Sequence, residues 1–186
     1  MDKIRYSLFD LFVYALPGGL LLLTANVVNM EKAAALPLFS TIQKSLEEVN
    51  VYQATVFIAV AYCTGFITNI AGYYILKLKE LIAPVPKPKF SQAGNSEKLT
   101  VVRELNKENF RYIEQWNVLK NFSSNLASVI ILSCILLYSY NIIHLPALIT
   151  GIILFVVLIF QASSYHRWSV IDLDNAYKNC KHGDQT

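Results

Sequence analysis

Charged residues are scarce in this 186-residue chain, and three long stretches have none. Only 16% of the residues are Asp, Glu, Lys or Arg, whereas a soluble domain carries about 25%. The charge-free stretches are residues 11–30, 49–76 and 121–166. About 20 apolar residues cross a bilayer core, so these stretches predict one, one and two spans. This distribution excludes a soluble globular enzyme, a disordered tail and a secreted disulfide-rich module.

Cysteines spaced for a disulfide and the common catalytic motifs are also lacking. Cys63 and Cys134 lie in apolar stretches and Cys180 lies in the polar C-terminal segment, so no pair is spaced to close a loop with a disulfide. A Gly-rich phosphate loop, H-E-x-x-H and G-x-S-x-G are absent from the sequence. Cys180-Lys181-His182 is too short to supply the four ligands of a closed zinc site. We therefore expect no catalytic residue, no metal and no cofactor.

The expected fold is an all-α, polytopic membrane protein with four transmembrane helices. Pro146 divides the longest stretch, because proline is favoured in the first turn of a helix. The second and third transmembrane helices are expected to extend as helices into the cytoplasm. The predicted organisation is two transmembrane helices with a short outer loop in residues 1–76, a Pro-rich linker and amphipathic helix in 77–121, a transmembrane hairpin in 122–165 and a tail in 166–186.

Pro17, Gly18 and Gly19 interrupt the first apolar stretch. Proline removes a backbone donor and crowds the preceding turn, which predicts a kink or a break in the first helix. Lipid offers no hydrogen bond to a freed carbonyl, so this point should face protein or water. We expect these three residues to act as a hinge.

Basic residues predict the orientation of the chain. The termini and residues 77–121 share one side of a four-span protein, and that side holds 14 of the 16 Lys and Arg residues. The positive-inside rule then places both termini and residues 77–121 in the cytoplasm. Trp116, Tyr165 and Trp168 would lie at the inner boundary, where interfacial aromatic side chains concentrate.

The cytoplasmic segment combines a stiff linker with an amphipathic helix. Prolines at alternate positions in residues 83–89 favour an extended polyproline II spacer. From about Glu97 a helical pattern leads directly into the third span, with Leu99 and Val102 on its apolar face and Lys98 on its polar face.

Small and polar residues fall on shared faces of the spans. In the second span these are Tyr62, Gly65, Asn69 and Gly72, and the third span begins with a similar surface that includes Ser124, Asn125 and Ser128. Small residues allow close helix packing and polar ones bond across it, so a packing seam is favoured over a pore lining. Asp10, near the inner end of the first span, also has two interpretations. An interfacial carboxylate is favoured over a residue that lines a pathway through the membrane.

Basic and aromatic residues at the inner side are predicted to contact anionic lipid and a cytosolic protein. Acidic residues are interspersed among them, which makes direct nucleic-acid binding unexpected. The candidate contact residues are Lys77, Lys79, Lys87, Lys89, Arg103, Lys107, Arg111, Trp116, Arg167 and Trp168.

Two segments carry a family resemblance. Residues 9–18, FDLFVYALPG, and residues 61–65, AYCTG, resemble patterns in four-span proteins encoded with prokaryotic anti-phage systems. These include the membrane component of Kiwa and membrane accessories of CRISPR systems. The resemblance implies a non-enzymatic sensor or effector scaffold that works with a cytosolic partner. We expect it to oligomerise through the Gly, Asn and Ser surfaces; the alternative is a small oligomeric ion channel or pore.

Overall fold

A computed structural model describes residues 2–33, 50–82 and 94–183. The side chains of residues 2–10, 30–33, 52, 182 and 183 lie outside that description. The described residues form five helices and no strand, which confirms the all-α prediction. The helices are α1 (Asp2–Ala33), α2 (Val51–Ile82), α3 (Asn95–Leu105), α4 (Lys107–Ser139) and α5 (Leu145–Gly183).

Four of these helices, α1, α2, α4 and α5, are long and apolar enough to cross a membrane. Their outer faces carry exposed large side chains such as Ile67, 67% exposed, and Phe160, 60% exposed. Apolar surface of this extent suits lipid rather than water. The chain is therefore a multi-pass membrane protein.

The four long helices alternate in direction. α1 runs antiparallel to α2, with the Tyr14 and Tyr62 ring centroids 5.4 Å apart, and α4 packs against α1, α2 and α5. α4 and α5 are joined by a tight turn in which Asn141 has a φ of 56°. Asn is one of the few residues that adopt this left-handed conformation readily. This alternation brings the start of α4 and the ends of α2 and α5 to one end of the bundle.

Local hydrogen bonds fix two helix starts. Asn50 and Gln53 cap α2 reciprocally, since the Asn50 side-chain oxygen accepts from the Gln53 N–H at 2.9 Å and the Asn50 N–H donates to Gln53 Oε1 at 3.0 Å. Asn106 has non-helical φ and ψ angles of −142° and 80°, and its side chain accepts from the Asn109 N–H at 3.1 Å. Asn106 thus ends α3 and begins α4.

The amphipathic helix predicted to run unbroken into the third span is therefore two helices. An Asn side chain that competes for backbone donors favours a cap over a helix interior. The break lets α3 pack against α5. Residues 95–116 and 169–181 together form a small helical unit, which we call the head. Its core contains Val102, Ile113, Leu173, Ala176 and Tyr177.

Candidate functional site

Asn125 occupies a buried polar junction between α1, α2 and α4. Its side chain is fully buried. Its Nδ2 donates to the backbone oxygens of Val13 at 2.8 Å and Gly65 at 3.1 Å. Its Oδ1 accepts from the Thr68 hydroxyl at 2.6 Å. One side chain on α4 thereby bonds to two other membrane-spanning helices.

The bond to Val13 follows from the proline in α1. Val13 precedes Pro17 by four residues, so its carbonyl lacks the helical N–H that any other residue at position 17 would donate. A carbonyl left without a donor in a membrane is costly, and Asn125 supplies the missing donor. α1 remains helical on both sides of Pro17. The hinge assigned to Pro17, Gly18 and Gly19 stays a prediction, and all three residues are buried.

Glycines allow the helix backbones to touch around this junction. A Cβ on Gly18 would overlap the Ala61 carbonyl oxygen, and one on Gly65 would overlap that of Tyr14. Seven residues further along α2, a Cβ on Gly72 would lie 2.7 Å from the carbonyl oxygen of Ser124. These contacts join α1 to α2 and α2 to α4.

The remaining candidate residues of the packing seam differ in burial and in hydrogen bonding. Ser124 and Ser128 are buried, and their hydroxyls bond to carbonyls of α4 itself, at Asn121 and Ser124. Asn69 is half-buried and Tyr62 is 37% exposed. Within one chain, the structure thus brings the glycines and serines together in an intramolecular seam. Asp10 lies in α1, and its side chain is outside the described residues.

A second polar link between α1 and α4 was missed in the sequence. The Thr24 hydroxyl donates to Ser133 Oγ at 3.1 Å and also lies 2.9 Å from the Leu20 carbonyl oxygen. Thr24 and Ser133 are both buried. Each looks like an ordinary small residue of a transmembrane helix, so only their juxtaposition shows the link.

We expect Asn125→Leu to lower the free energy of unfolding by about 2 kcal/mol, because it leaves buried carbonyls without a donor. Pro17→Ala restores the N–H that Val13 needs, so the same Asn125→Leu change should cost about 0.6 to 1 kcal/mol less in that background. Unfolding of the unchanged chain, the two single variants and the double variant in bicelles measures this coupling. Equal costs in both backgrounds would contradict the proposed link between Asn125 and the proline.

The aromatic residues predicted at the inner boundary form one cluster. The Trp116 ring stacks on Tyr165, with centroids 5.7 Å apart, and meets Trp168 edge-on at 5.0 Å. The Trp116 indole N–H donates to Asp172 Oδ2 at 2.9 Å. This cluster joins α4 to α5 where both helices enter the head.

The predicted basic contact residues are dispersed over the same end of the molecule. Lys79 is bonded to Ser163, and its ammonium lies 5.4 Å from the Phe160 ring centroid. Arg103 lies over the Phe110 ring at 5.0 Å, although the arginine itself is exposed. Lys77, Lys107, Arg111 and Arg167 are exposed, whereas Lys87 and Lys89 lie outside the described residues.

The sequence suggested that Lys98 lies on a solvated polar face, but the structure buries it. Its ammonium lies 2.8 Å from Asp174 Oδ1, and the two side chains are 2% and 3% exposed. The pair joins α3 to α5 beside Val102 and Tyr177. Lys98 precedes Val102 by four residues and therefore shares its buried face, where Asp174 of α5 supplies the opposite charge.

Comparisons with protein-family models, curated proteins and solved structures gave no match. In the described part of the chain, no group of three or more His, Cys, Asp or Glu side chains could hold a metal ion.

Proposed function

We propose that the chain is a non-enzymatic scaffold of the bacterial inner membrane that presents its head to a cytosolic protein. The observation that carries this proposal is the head itself. It has its own apolar core and a buried ion pair, and its helices α4 and α5 continue without interruption into two spans. A protein bound to the head would therefore be coupled rigidly to the membrane-embedded bundle.

The cytoplasmic location of the head and of both termini is proposed from the 14-to-2 distribution of basic residues. A reporter fused after Thr186 should be active only in the cytoplasm.

The place in an anti-phage defence system is proposed from the resemblance of residues 9–18 and 61–65. A homo-oligomer is also proposed; it would form through the outer faces of α2 and α5, because the Gly and Ser surfaces are used within one chain.

Two exposed basic side chains of the head, Arg103 and Lys107, supply the test. We expect Arg103→Glu combined with Lys107→Glu to reduce recovery of the cytosolic partner at least tenfold, since both side chains are exposed and reversal places like charges against an acidic partner. Tagged full-length chain, cross-linked in its native host and purified, gives the measurement. The comparison variant is Lys77→Glu, which reverses the charge of a candidate contact residue on α2; it should retain the partner if the head supplies the contact.

Membrane insertion and the fluorescence of Trp116 and Trp168, the chain's two tryptophans, should be unchanged in these variants. If the double variant and the Lys77→Glu variant retain the same proteins in equal amounts, Arg103 and Lys107 do not recruit a partner.

A further inference from the structure

Three ionisable side chains from three helices meet at the end of the bundle next to the head. They are Glu80 of α2, Lys120 of α4 and His166 of α5. His166 Nε2 lies 3.8 Å from Glu80 Oε1. The Lys120 ammonium is close enough to interact electrostatically with both groups. Lys120 and His166 border the long charge-free stretch from opposite ends, and its folding into a hairpin brings them together.

Two atoms of this cluster are buried without a hydrogen-bond partner: Glu80 Oε1 and His166 Nδ1. In the part of the chain that the structure describes, no other buried side-chain nitrogen or oxygen is in this state. A separation of 3.8 Å exceeds the 2.7–3.2 Å of an ordinary N–H···O bond. Buried polar groups are usually bonded, so an exception with ionisable groups on both sides indicates a role beyond packing.

We propose that Glu80 and His166 form a proton-binding site that controls the contact between α2 and α5. When His166 is neutral, only one of its ring nitrogens carries a proton, and its attraction to the Glu80 carboxylate is weak. When His166 binds a proton from water, both ring nitrogens become donors and the ring gains a positive charge. The charged ring then draws Glu80 into a charge-assisted hydrogen bond, which is shorter and stronger than a neutral one.

The other charged groups facing α5 define how the site responds. From α2, Lys79 lies one residue before Glu80 and is bonded to Ser163, one turn before His166. From α4, Lys120 carries a like charge that opposes protonation of His166. From α3, Lys98 faces α5 further into the head and is paired with Asp174. Burial has the largest influence and lowers the pKa of His166; the Glu80 carboxylate raises it, and Lys120 lowers it further.

The position of the site gives proton binding a route to the head. α2 meets α5 here through Lys79, Glu80, Ser163 and His166. α5 then continues into the head, where Ser169 bonds to Asn117 at 3.2 Å. Tightening the α2–α5 contact therefore acts on the helix that carries Asp174. This inference does not depend on recruitment of a partner.

The test is a titration of the histidine side chains by NMR, using full-length chain with isotope-labelled histidine in lipid nanodiscs. We expect Glu80→Gln to lower the midpoint of the His166 transition by at least about half a pH unit, a threefold loss of proton affinity. Lys120→Met should raise it by a similar amount. His144 is exposed in the turn at the opposite end of the bundle, so its midpoint should not change in either variant.

A double-mutant cycle tests whether proton binding strengthens the contact. The coupling between Glu80→Gln and His166→Gln, measured by unfolding, should be at least fivefold larger as an equilibrium constant at about pH 5 than at about pH 8. Unchanged His166 midpoints in both charge variants, or the same coupling at both pH values, would overturn the proposal. A merely structural hydrogen bond would give the same coupling at both pH values, which is the second of these outcomes.

Discussion

Lys98→Met should lower the free energy of unfolding of the head by about 3–5 kcal/mol, the range for removing one member of a buried ion pair. The reason is the carboxylate left behind: Asp174 is 2% exposed as a residue, so it would lose its nearest opposite charge while shielded from water. Lys178 compensates only in part, because its ammonium is 4.0 Å from Asp174 Oδ2 and its side chain is 33% exposed.

Unfolding of the Lys98→Met variant can be followed by intrinsic fluorescence. The chain has two tryptophans, and both Trp116 and Trp168 lie in the cluster that joins the head to the spans. Lys107→Met, which removes the same charge from an exposed position, is the matched control and should change stability by less than about 0.5 kcal/mol.

Removing both members of the pair shows whether the buried carboxylate or the packing around position 98 causes the loss of stability. Lys98→Met combined with Asp174→Leu removes the uncompensated charge, so most of the lost stability should return. A double variant as unstable as Lys98→Met alone would show that packing around position 98, and not the buried carboxylate, sets the cost.

Gly18→Ala should destabilise the transmembrane bundle by about 3 kcal/mol, at the upper end of the usual cost of overpacking. The added methyl group would overlap the carbonyl oxygen of Ala61 and the backbone nitrogen of Gly65. Backbone atoms of a helix cannot rotate away as a side chain does, so α1 and α2 would have to separate. Separation would also weaken the bonds that Asn125 makes to both helices.

The neighbouring glycine provides a close control. A Cβ on Gly19 would have its nearest contacts at 3.7 Å, with the Ala61 Cβ and the Phe57 ring. That is ordinary van der Waals contact, so Gly19→Ala should be neutral within about 0.5 kcal/mol. Unfolding in bicelles measures both variants. Equal stability of Gly18→Ala and Gly19→Ala would mean that α1 and α2 do not approach as closely as described.

The long-range partners of several residues could not be read from the sequence. The sequence placed Asn125 on a small, polar surface and indicated a carbonyl freed by Pro17. Nothing in it indicated that Asn125 bonds to that carbonyl, at Val13, across 112 positions. Glu80, Lys120 and His166 likewise lie on three different helices. Their meeting depends on helix rotation and register, which periodicity does not fix.

Lys98 shows the complementary limit. Its charge suggested a solvated position, but it lies four residues before Val102 and shares that buried face. The break at Asn106 was missed separately. A signal was present, since Asn at that position can cap a new helix. The hydrophobic pattern continued through it, and the pattern alone favoured one helix.

The sequence by itself determined that this is an all-α, multi-pass membrane protein, because the spacing of charged residues decides which segments can enter lipid. Only the tertiary structure decided how those segments use their polar groups. It placed Asn125 against the carbonyl freed by Pro17, Lys98 against Asp174, and His166 beside Glu80. The physical reason is that transfer into lipid is set by composition over about 20 residues, whereas a hydrogen bond or ion pair depends on positions accurate to less than 1 Å.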